Sequence, residues 1–178
     1  AVSMSMKLGY LVGTLIFAAV FVGAVVAQIK ARQFHPFLYW FTIIASTTVG
    51  TTLADYSDRS LGIGYAGGAS LLLVLLTASL ATWYWALGSV SVSTVHSPKA
   101  EMFYWLTIMF SQTLGTAAGD WTADSAGLGY TGGAVIFCSL LVLVVMAHFW
   151  TKIPKTVLFW TAFVLTRPLG AVVGDFLD

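Results

Sequence analysis

Six long apolar stretches constrain the fold of this chain more than any other feature of its sequence. They cover about residues 10–28, 37–55, 61–88, 102–120, 127–149 and 157–175. Crossing a hydrocarbon layer of about 30 Å takes around 20 helical residues at about 1.5 Å each. The stretches are continuously apolar, which argues against a β-barrel, whose strands alternate polar and apolar residues. We therefore predict an all-α, polytopic membrane helix bundle with six spans.

Composition and charge agree with a protein that has the lipid bilayer as its surroundings. Hydrophobic residues make up 58% of the chain, charged residues 8%, and the mean hydropathy is +0.89, whereas a soluble domain carries roughly a quarter charged residues. A net charge of +1 gives no reason to expect nucleic acid as a partner. The links after the first, third and fifth spans contain Lys30, Arg32, Lys99, Lys152 and Lys155. By the positive-inside rule these links are cytoplasmic.

The chain contains an internal repeat. Residues 39–69 align without a gap with residues 104–134, and residues 159–178 align with the second of these copies. The Leu-Gly-Tyr at 8–10 also matches the Ile-Gly-Tyr at 63–65. Each unit is a pair of helices, the first of which ends in an acid. We predict a single transmembrane domain, 1–178, with units at about 1–36, 37–100, 101–155 and 156–178. Because the first and last units are half-units, we expect the complete protein to have four units and eight spans.

The copies share a tryptophan, a glycine and an aspartate at one register. These motif residues are Trp40, Gly50 and Asp55, then Trp105, Gly115 and Asp120, and finally Trp160, Gly170 and Asp175. The pattern resembles the bacterial membrane-protein family defined by a repeat of unknown function, usually with four copies per chain. The resemblance implies an all-helical protein of the bacterial inner membrane, and it implies no activity.

Small residues lie four apart near the end of the first helix of each unit. The pairs are Gly50 with Ala54, Gly115 with Gly119, and Gly170 with Gly174. This spacing allows helix backbones to approach closely in lipid. We therefore predict that these glycines pack against neighbouring helices.

A carboxylate follows the small residues in every copy, at Asp55, Asp120 and Asp175, and Thr51 and Thr116 precede the first two acids by four residues. Each threonine therefore shares a helix face with its acid. Acids on equivalent helix ends can converge on one axis, and an oxygen-rich site suits Mg²⁺, Mn²⁺ or a relayed proton. We predict that these five residues form a cation site. Alternatively, each acid lies at the outer interface, where a charge costs little free energy.

Arg167 lies inside the last span, where the other copies have Thr47 and Gln112. An arginine in a span needs a partner or a wet cavity, so we predict an ion pair or a gating contact. The alternative is that its side chain extends along a tilted helix to the interface.

Two further motifs have structural interpretations. We expect the three motif tryptophans, near the cytoplasmic starts of their helices, to form an aromatic belt at the membrane surface. The Leu-Gly-Tyr-Thr-Gly-Gly type of stretch after each acid either unwinds the start of the next helix beside a cavity or makes a tight turn.

The leading functional hypothesis is a membrane transporter for a small cation, either a divalent metal such as Mn or Mg or a proton-coupled ion. A non-catalytic membrane scaffold or partner subunit is the alternative, and a homo-oligomer fits either function. An intramembrane aspartyl hydrolase would use Asp120 and Asp175 as an acid pair, but neither is preceded by the Gly-x-Gly of those proteases, so we expect no enzyme. The sequence has no motif for haem, flavin or nucleotide, and no cofactor is expected other than a bound divalent cation.

Overall fold

The structure of this protein is a computed structural model, which describes residues 9–31, 34–56, 64–95 and 97–177 but not the side chains of Tyr10, Asp55, Asp124, Ser125 and Asp175. In these ranges the chain is all-helical, as predicted. The helices are α1 (Gly9–Lys30), α2 (Pro36–Asp55), α3 (Gly64–Leu87), α4 (Pro98–Asp120), α5 (Gly129–Trp150) and α6 (Lys155–Leu177). A short 3₁₀ turn, Val92–Thr94, precedes α4, and a π-helical turn, Trp121–Ser125, follows it.

Local sequence signals determine where α4 begins. Ser97 has an extended backbone, and its hydroxyl accepts a hydrogen bond from the Ala100 amide at 3.2 Å. This bond satisfies one of the amides that the first turn of a helix leaves without a partner. Pro98 occupies the first helical position, where a missing N–H has no cost. Pro36 likewise occupies the start of α2.

The described helices pack as three hairpins, α1 with α2, α3 with α4, and α5 with α6. The hairpins join through α4, which packs against both α2 and α6. The first helix of each unit therefore lies inside the bundle, and we call α2, α4 and α6 the inner helices. The second helices of the units, α1, α3 and α5, are the outer helices.

Five of the six described helices, all except α4, are long and apolar enough to cross a membrane. The chain is therefore a multi-pass membrane protein by helix length and composition, although the sequence predicted six such spans. The central position of α4 explains the difference. Its 23 residues extend about 34 Å at about 1.5 Å each, and 12 of them are buried among α2, α3 and α6. Because neighbouring helices shield α4 from lipid, its surface can carry serine, threonine and glutamine.

Aromatic side chains fill the core near the starts of the inner helices. The Trp83 ring is fully buried, with its centroid 6.4 Å from that of Tyr104 and 5.9 Å from that of Trp160. The Trp160 indole N–H donates to the carbonyl of Val90 at 2.9 Å.

The aromatic belt was the wrong interpretation for two of the three motif tryptophans. Trp105 and Trp160 are 2% and 6% exposed, whereas Trp40 is 62% exposed. The inner helices α4 and α6 direct these rings into the protein core, and a buried ring cannot contact the membrane surface.

Candidate functional site

The interface between α2 and α4 is a close backbone contact at Gly50. A Cβ atom added to Gly50 would lie 3.0 Å from the Thr113 amide nitrogen and 3.1 Å from the Gln112 Cβ. A methyl group at these distances would fit only if α4 shifted by a few tenths of an ångström. A glycine is therefore required for α2 to approach α4 this closely.

The interface between α4 and α6 is closer still. A Cβ atom on Gly115 would overlap the Cβ of Arg167, and one on Gly119 would lie 3.0 Å from the Ala171 Cβ. Gln112 and Arg167 occupy the same register of the repeat. The two interfaces are therefore copies of one arrangement, in which the glycine face of one inner helix packs against the Gln112 or Arg167 position of the next.

The glycines of α6 have no such contact in the described part of the chain. Atoms added at the Cβ positions of Gly170 and Gly174 would have no neighbour within 4 Å. Both glycines are exposed.

Each copy of the interface contains a pair of polar residues, but only one of the two pairs forms a hydrogen bond. Between α2 and α4, the Gln112 Nε2 donates to the Ser46 Oγ at 3.4 Å, inside the bundle. The equivalent residues between α4 and α6 are Arg167 and Ser111. There, the buried Arg167 Nε and the buried Ser111 Oγ have no hydrogen-bond partner among the described residues.

Arg167 lies among aromatic rings instead. Its guanidinium carbon is 5.0 Å from the centre of the Phe163 ring, and the Tyr39 and Tyr104 side chains lie within the range of its charge. The hydroxyls of these two tyrosines, which occupy one register of the repeat, are 3.1 Å apart. Within the described residues, whose side chains exclude Asp55 and Asp175, no ion pair of Arg167 is found. The described contacts of Arg167 are with aromatic residues, and its ion pair or gating contact stays a prediction.

We expect Arg167→Gln to raise the free energy of unfolding in detergent micelles by about 1 kcal/mol, because it removes a half-buried charge and places an amide donor near Ser111. Unfolding by sodium dodecyl sulfate in mixed micelles measures this change. Lys155→Gln, which removes the exposed cation at the start of the same helix, is the matched control. A loss of stability in Arg167→Gln beyond that of the control would show that the aromatic contacts outweigh the burial of the charge.

A stripe of oxygen atoms precedes Asp120 on α4. Thr113 and Thr116 lie seven and four residues before the half-buried Asp120, so the three residues share one helix face. The Thr113 hydroxyl donates to the Met109 carbonyl at 2.9 Å, and the Thr116 hydroxyl donates to the Gln112 carbonyl at 3.4 Å. Because each hydroxyl hydrogen is used within α4, each oxygen offers only lone pairs to other groups.

The same stripe recurs on α2. Thr48 and Thr51 precede Asp55 at the same spacing, and their hydroxyls donate to the Ile44 and Thr47 carbonyls at 2.9 and 3.1 Å. The sequence-based prediction included Thr51 and Thr116 but missed Thr48 and Thr113. The recurrence of a threonine seven residues before the acid in both copies was the signal that could have identified them.

The three repeated acids lie at one end of the bundle. Asp55 and Asp120 end α2 and α4, and Asp175 lies in the last turn of α6. Two crossings separate consecutive inner helices, so these helix ends are on the same side. Among the described residues, no three His, Cys, Asp or Glu side chains are placed to hold a metal ion. The side chains of Asp55 and Asp175 lie outside that set, and convergence of the three carboxylates stays a prediction.

The backbone changes conformation directly after the acid in both complete copies. The π-helical turn Trp121–Ser125 follows Asp120, and Tyr56, which follows Asp55, is also π-helical. Such turns are rare and are frequent at functional sites. No residue pattern in the sequence indicated them.

The glycine that opens the outer helix is at a tight turn. Gly64 and Gly129 begin α3 and α5 with φ angles of 68° and 64°, a left-handed conformation that favours glycine. The described helices continue regularly from these residues. Of the two interpretations, the tight turn fits the link before Gly129, whereas the residues before Gly64 lie outside the described ranges.

Comparison with known families and proteins gives one match. The family model of the Repeat of Unknown Function (DUF347) matches residues 38–88, 103–153 and 158–178, which together make up more than half of the chain. No curated protein and no solved structure matches the chain.

Proposed function

This chain belongs to the Repeat of Unknown Function (DUF347) family, and on that premise we propose that it is a multi-pass membrane transporter for a small cation. The substrate is a divalent metal ion such as Mn²⁺ or Mg²⁺, or an ion coupled to protons. Asp55, Asp120 and Asp175 bind the cation, and Thr51 and Thr116 supply neutral oxygen ligands.

The observation that supports this proposal is the row of threonine oxygens on the helix face that ends in Asp120. The Thr113 and Thr116 hydroxyls are placed to donate to carbonyls of α4 itself, and in this arrangement their oxygen lone pairs can accept from a ligand or coordinate a cation. Neutral and carboxylate oxygens are the ligands that hard cations prefer. The face of α4 that carries Asp120 therefore favours a cation over an anion.

The proposed orientation places the acids on the outer side of the bacterial inner membrane. The basic links after the first, third and fifth spans are cytoplasmic by the positive-inside rule, and the acids end the helices that start from those links. A cation from the outer side would reach the acids first. It would then pass between the inner helices toward Arg167, which acts as a positively charged gate.

The tight glycine contacts favour a second candidate function, a membrane scaffold or partner subunit. Gly50, Gly115 and Gly119 pack the inner helices closely, as a purely structural bundle requires. In that case the acids are interfacial charges, and their removal has no effect on transport.

Cation flux into proteoliposomes distinguishes these functions. We expect uptake of Mn²⁺, Mg²⁺ or H⁺ by the full-length protein and its loss when Asp55, Asp120 and Asp175 are all changed to Asn. The matched control changes the non-repeated acids Asp58, Asp124 and Asp178 to Asn, with the same change in charge, and should keep the flux. If folded protein transports none of these cations, the scaffold function replaces the transporter.

Binding can be tested separately from transport by thermal unfolding. A cation at 100 times its Kd stabilises the folded state by about 2.7 kcal/mol, which should raise the Tm of the unchanged protein. Asp120→Asn should fold but lose this stabilisation, and Thr116→Val should weaken it by removing one oxygen ligand. Equal cation-dependent shifts in Asp120→Asn and the unchanged protein would exclude Asp120 from the site.

A further inference from the structure

A hydrophobic groove runs between α1 and α4 on the surface of the described bundle. Its volume of about 460 Å³ is within the usual range of about 300–1,000 Å³ for small-molecule sites. Its lining comes from residues between Phe21 and Ile29 of α1 and between Lys99 and Leu106 of α4. All of these lining side chains are hydrophobic except that of Lys99. The α1–α4 groove therefore suits a ligand that is largely hydrocarbon and has one charged end.

The fold holds the α1–α4 groove in a fixed shape. Phe21 and Trp105 line it although both are buried in the aromatic core, so their rings form its floor. Val22 and Met102 also line it and are exposed, so they form its two rims. Because α1 and α4 both pack extensively against α2, the space between them is formed before a ligand binds. A ligand in a preformed groove loses less free energy to ordering of the protein.

The groove begins at the ends of the helices and extends into one leaflet of the membrane. Lys99 is the second residue of α4, and Ile29 is the last residue but one of α1. From Lys99 to Leu106 the groove extends about 10 Å, at about 1.5 Å for each residue of α4. One leaflet is about 15 Å deep, which is half of the hydrocarbon layer. The groove therefore runs alongside the acyl chains of that leaflet.

Positive charge lies at the membrane-surface end of the groove. Lys99 lines this end, and Lys30 follows Ile29 directly at the end of α1. Both lysines are exposed. Glu101 is in the same turn of α4 as Lys99, but it lies about 200° around the helix from Lys99 at about 100° per residue, and so on the opposite face. The end of the groove therefore attracts a negative group at the depth of the lipid headgroups.

We propose that the α1–α4 groove binds an anionic phospholipid. One acyl chain lies on the rings of Phe21 and Trp105, and the headgroup phosphate pairs with the Lys99 ammonium. Basic residues beside a membrane span attract anionic headgroups, and basic pockets between membrane helices bind such lipids. In the orientation proposed above, this lipid belongs to the cytoplasmic leaflet. The site does not depend on cation transport, since it uses none of the repeated acids.

Charge disfavours two other occupants of the groove. A zwitterionic lipid has the same acyl chains, but it brings no net negative charge to Lys99 and Lys30. A second copy of the chain would have the same orientation in the membrane. It would bring its own basic links to this end of the groove, where like charges repel.

Photolabelling of the full-length protein in detergent micelles tests the location and the selectivity of the site. The probe is phosphatidylglycerol with a photoreactive acyl chain, and mass spectrometry of peptides locates the label. We expect label within 21–29 and 99–106, and several-fold stronger competition by unlabelled phosphatidylglycerol than by phosphatidylcholine. Equal competition by the two lipids would mean that the groove holds only a non-selective lipid, and would overturn the proposal.

Lys99→Gln tests the contact with the headgroup. We expect competition by phosphatidylglycerol to become about fivefold weaker, which is the usual contribution of one basic residue near an anionic membrane surface, and competition by phosphatidylcholine to stay the same. Lys152→Gln is the matched control, because it removes an exposed cation from a link on the same side that does not line the groove. Equal losses in the two variants would show a general effect of surface charge and exclude Lys99 from a specific site.

Val22→Trp and Val20→Trp test the contact with the acyl chain. Both valines are exposed on α1, so both variants should fold, but only Val22 lines the groove. We expect Val22→Trp to lose the label within 99–106 and Val20→Trp to keep it. Equal labelling of the two variants would place the lipid elsewhere on the surface. Dimers of the chain that exclude the probe from the groove would replace the lipid with a second copy, and either result would overturn the proposal.

Discussion

Gly115→Ala is expected to lower the free energy of unfolding by about 3 kcal/mol, although alanine is the better helix former. The new Cβ would overlap the Arg167 Cβ and lie 3.2 Å from the Arg167 Cα and carbonyl carbon. Backbone atoms cannot rotate out of the way as the end of a side chain can, so α4 and α6 must move apart. Overpacking of this kind typically costs about 1–3 kcal/mol, and the loss of the close contact adds to it.

Gly170→Ala is the control for Gly115→Ala at the same register of the repeat. Its Cβ meets no atom of the described residues within 4 Å, so the higher helix propensity of alanine should dominate the effect and stabilise α6 by up to about 1 kcal/mol. Unfolding by sodium dodecyl sulfate in mixed micelles compares the two variants. Effects of the same sign and size would mean that the approach of α4 to α6 does not depend on Gly115.

The second large effect is expected at Trp83. Trp83→Ala should lower the free energy of unfolding by about 3–5 kcal/mol, the usual cost of truncating a buried aromatic residue. The ring is 0% exposed and packs edge-on against Tyr104 and Trp160, so its removal leaves a cavity between α3, α4 and α6. The cavity also costs free energy inside a membrane, because the surrounding side chains lose van der Waals contacts, and this loss does not depend on transfer from water.

Trp85→Ala on the same helix is the control for the truncation. Trp85 is 80% exposed, and its loss should change the unfolding free energy by less than about 0.5 kcal/mol. Trp83→Phe should retain most of the stability, because it keeps an aromatic ring and removes a buried indole N–H that has no hydrogen-bond partner in the described part of the chain. A Trp83→Ala variant as stable as Trp85→Ala would contradict the packing around Trp83.

Much of the fold followed from local sequence patterns. The apolar stretches located all six described helices, and the repeat identified the pairs of helices that the family model also matches. The burial of α4 did not follow from these patterns. Its serine, threonine and glutamine residues made it the least apolar helix, and the sequence could not reveal that they are covered by α2, α3 and α6, because burial depends on neighbours far away in the chain.

The candidate site was predictable only in part. The spacing of Thr51 and Thr116 from their acids was readable, since residues four apart share a helix face. The contact of Arg167 with Phe163 could have been predicted in the same way, because the two residues are four apart on α6, whereas the proximity of Tyr39 and Tyr104 depends on how α2 and α4 pack. The π-helical turn after Asp120 also had no sequence signal.

By itself, the sequence determined the class of the protein, the positions of its helices, its repeat and the register of its glycines and acids, because all of these depend on residues close together in the chain. Only the tertiary structure decided which copies of a motif are buried. Gly115 is packed against Arg167 while Gly170 is open, and Trp105 is buried while Trp40 is exposed. Equivalent residues have equivalent local sequence, but they differ in the helices that surround them, and that arrangement is a property of the whole bundle.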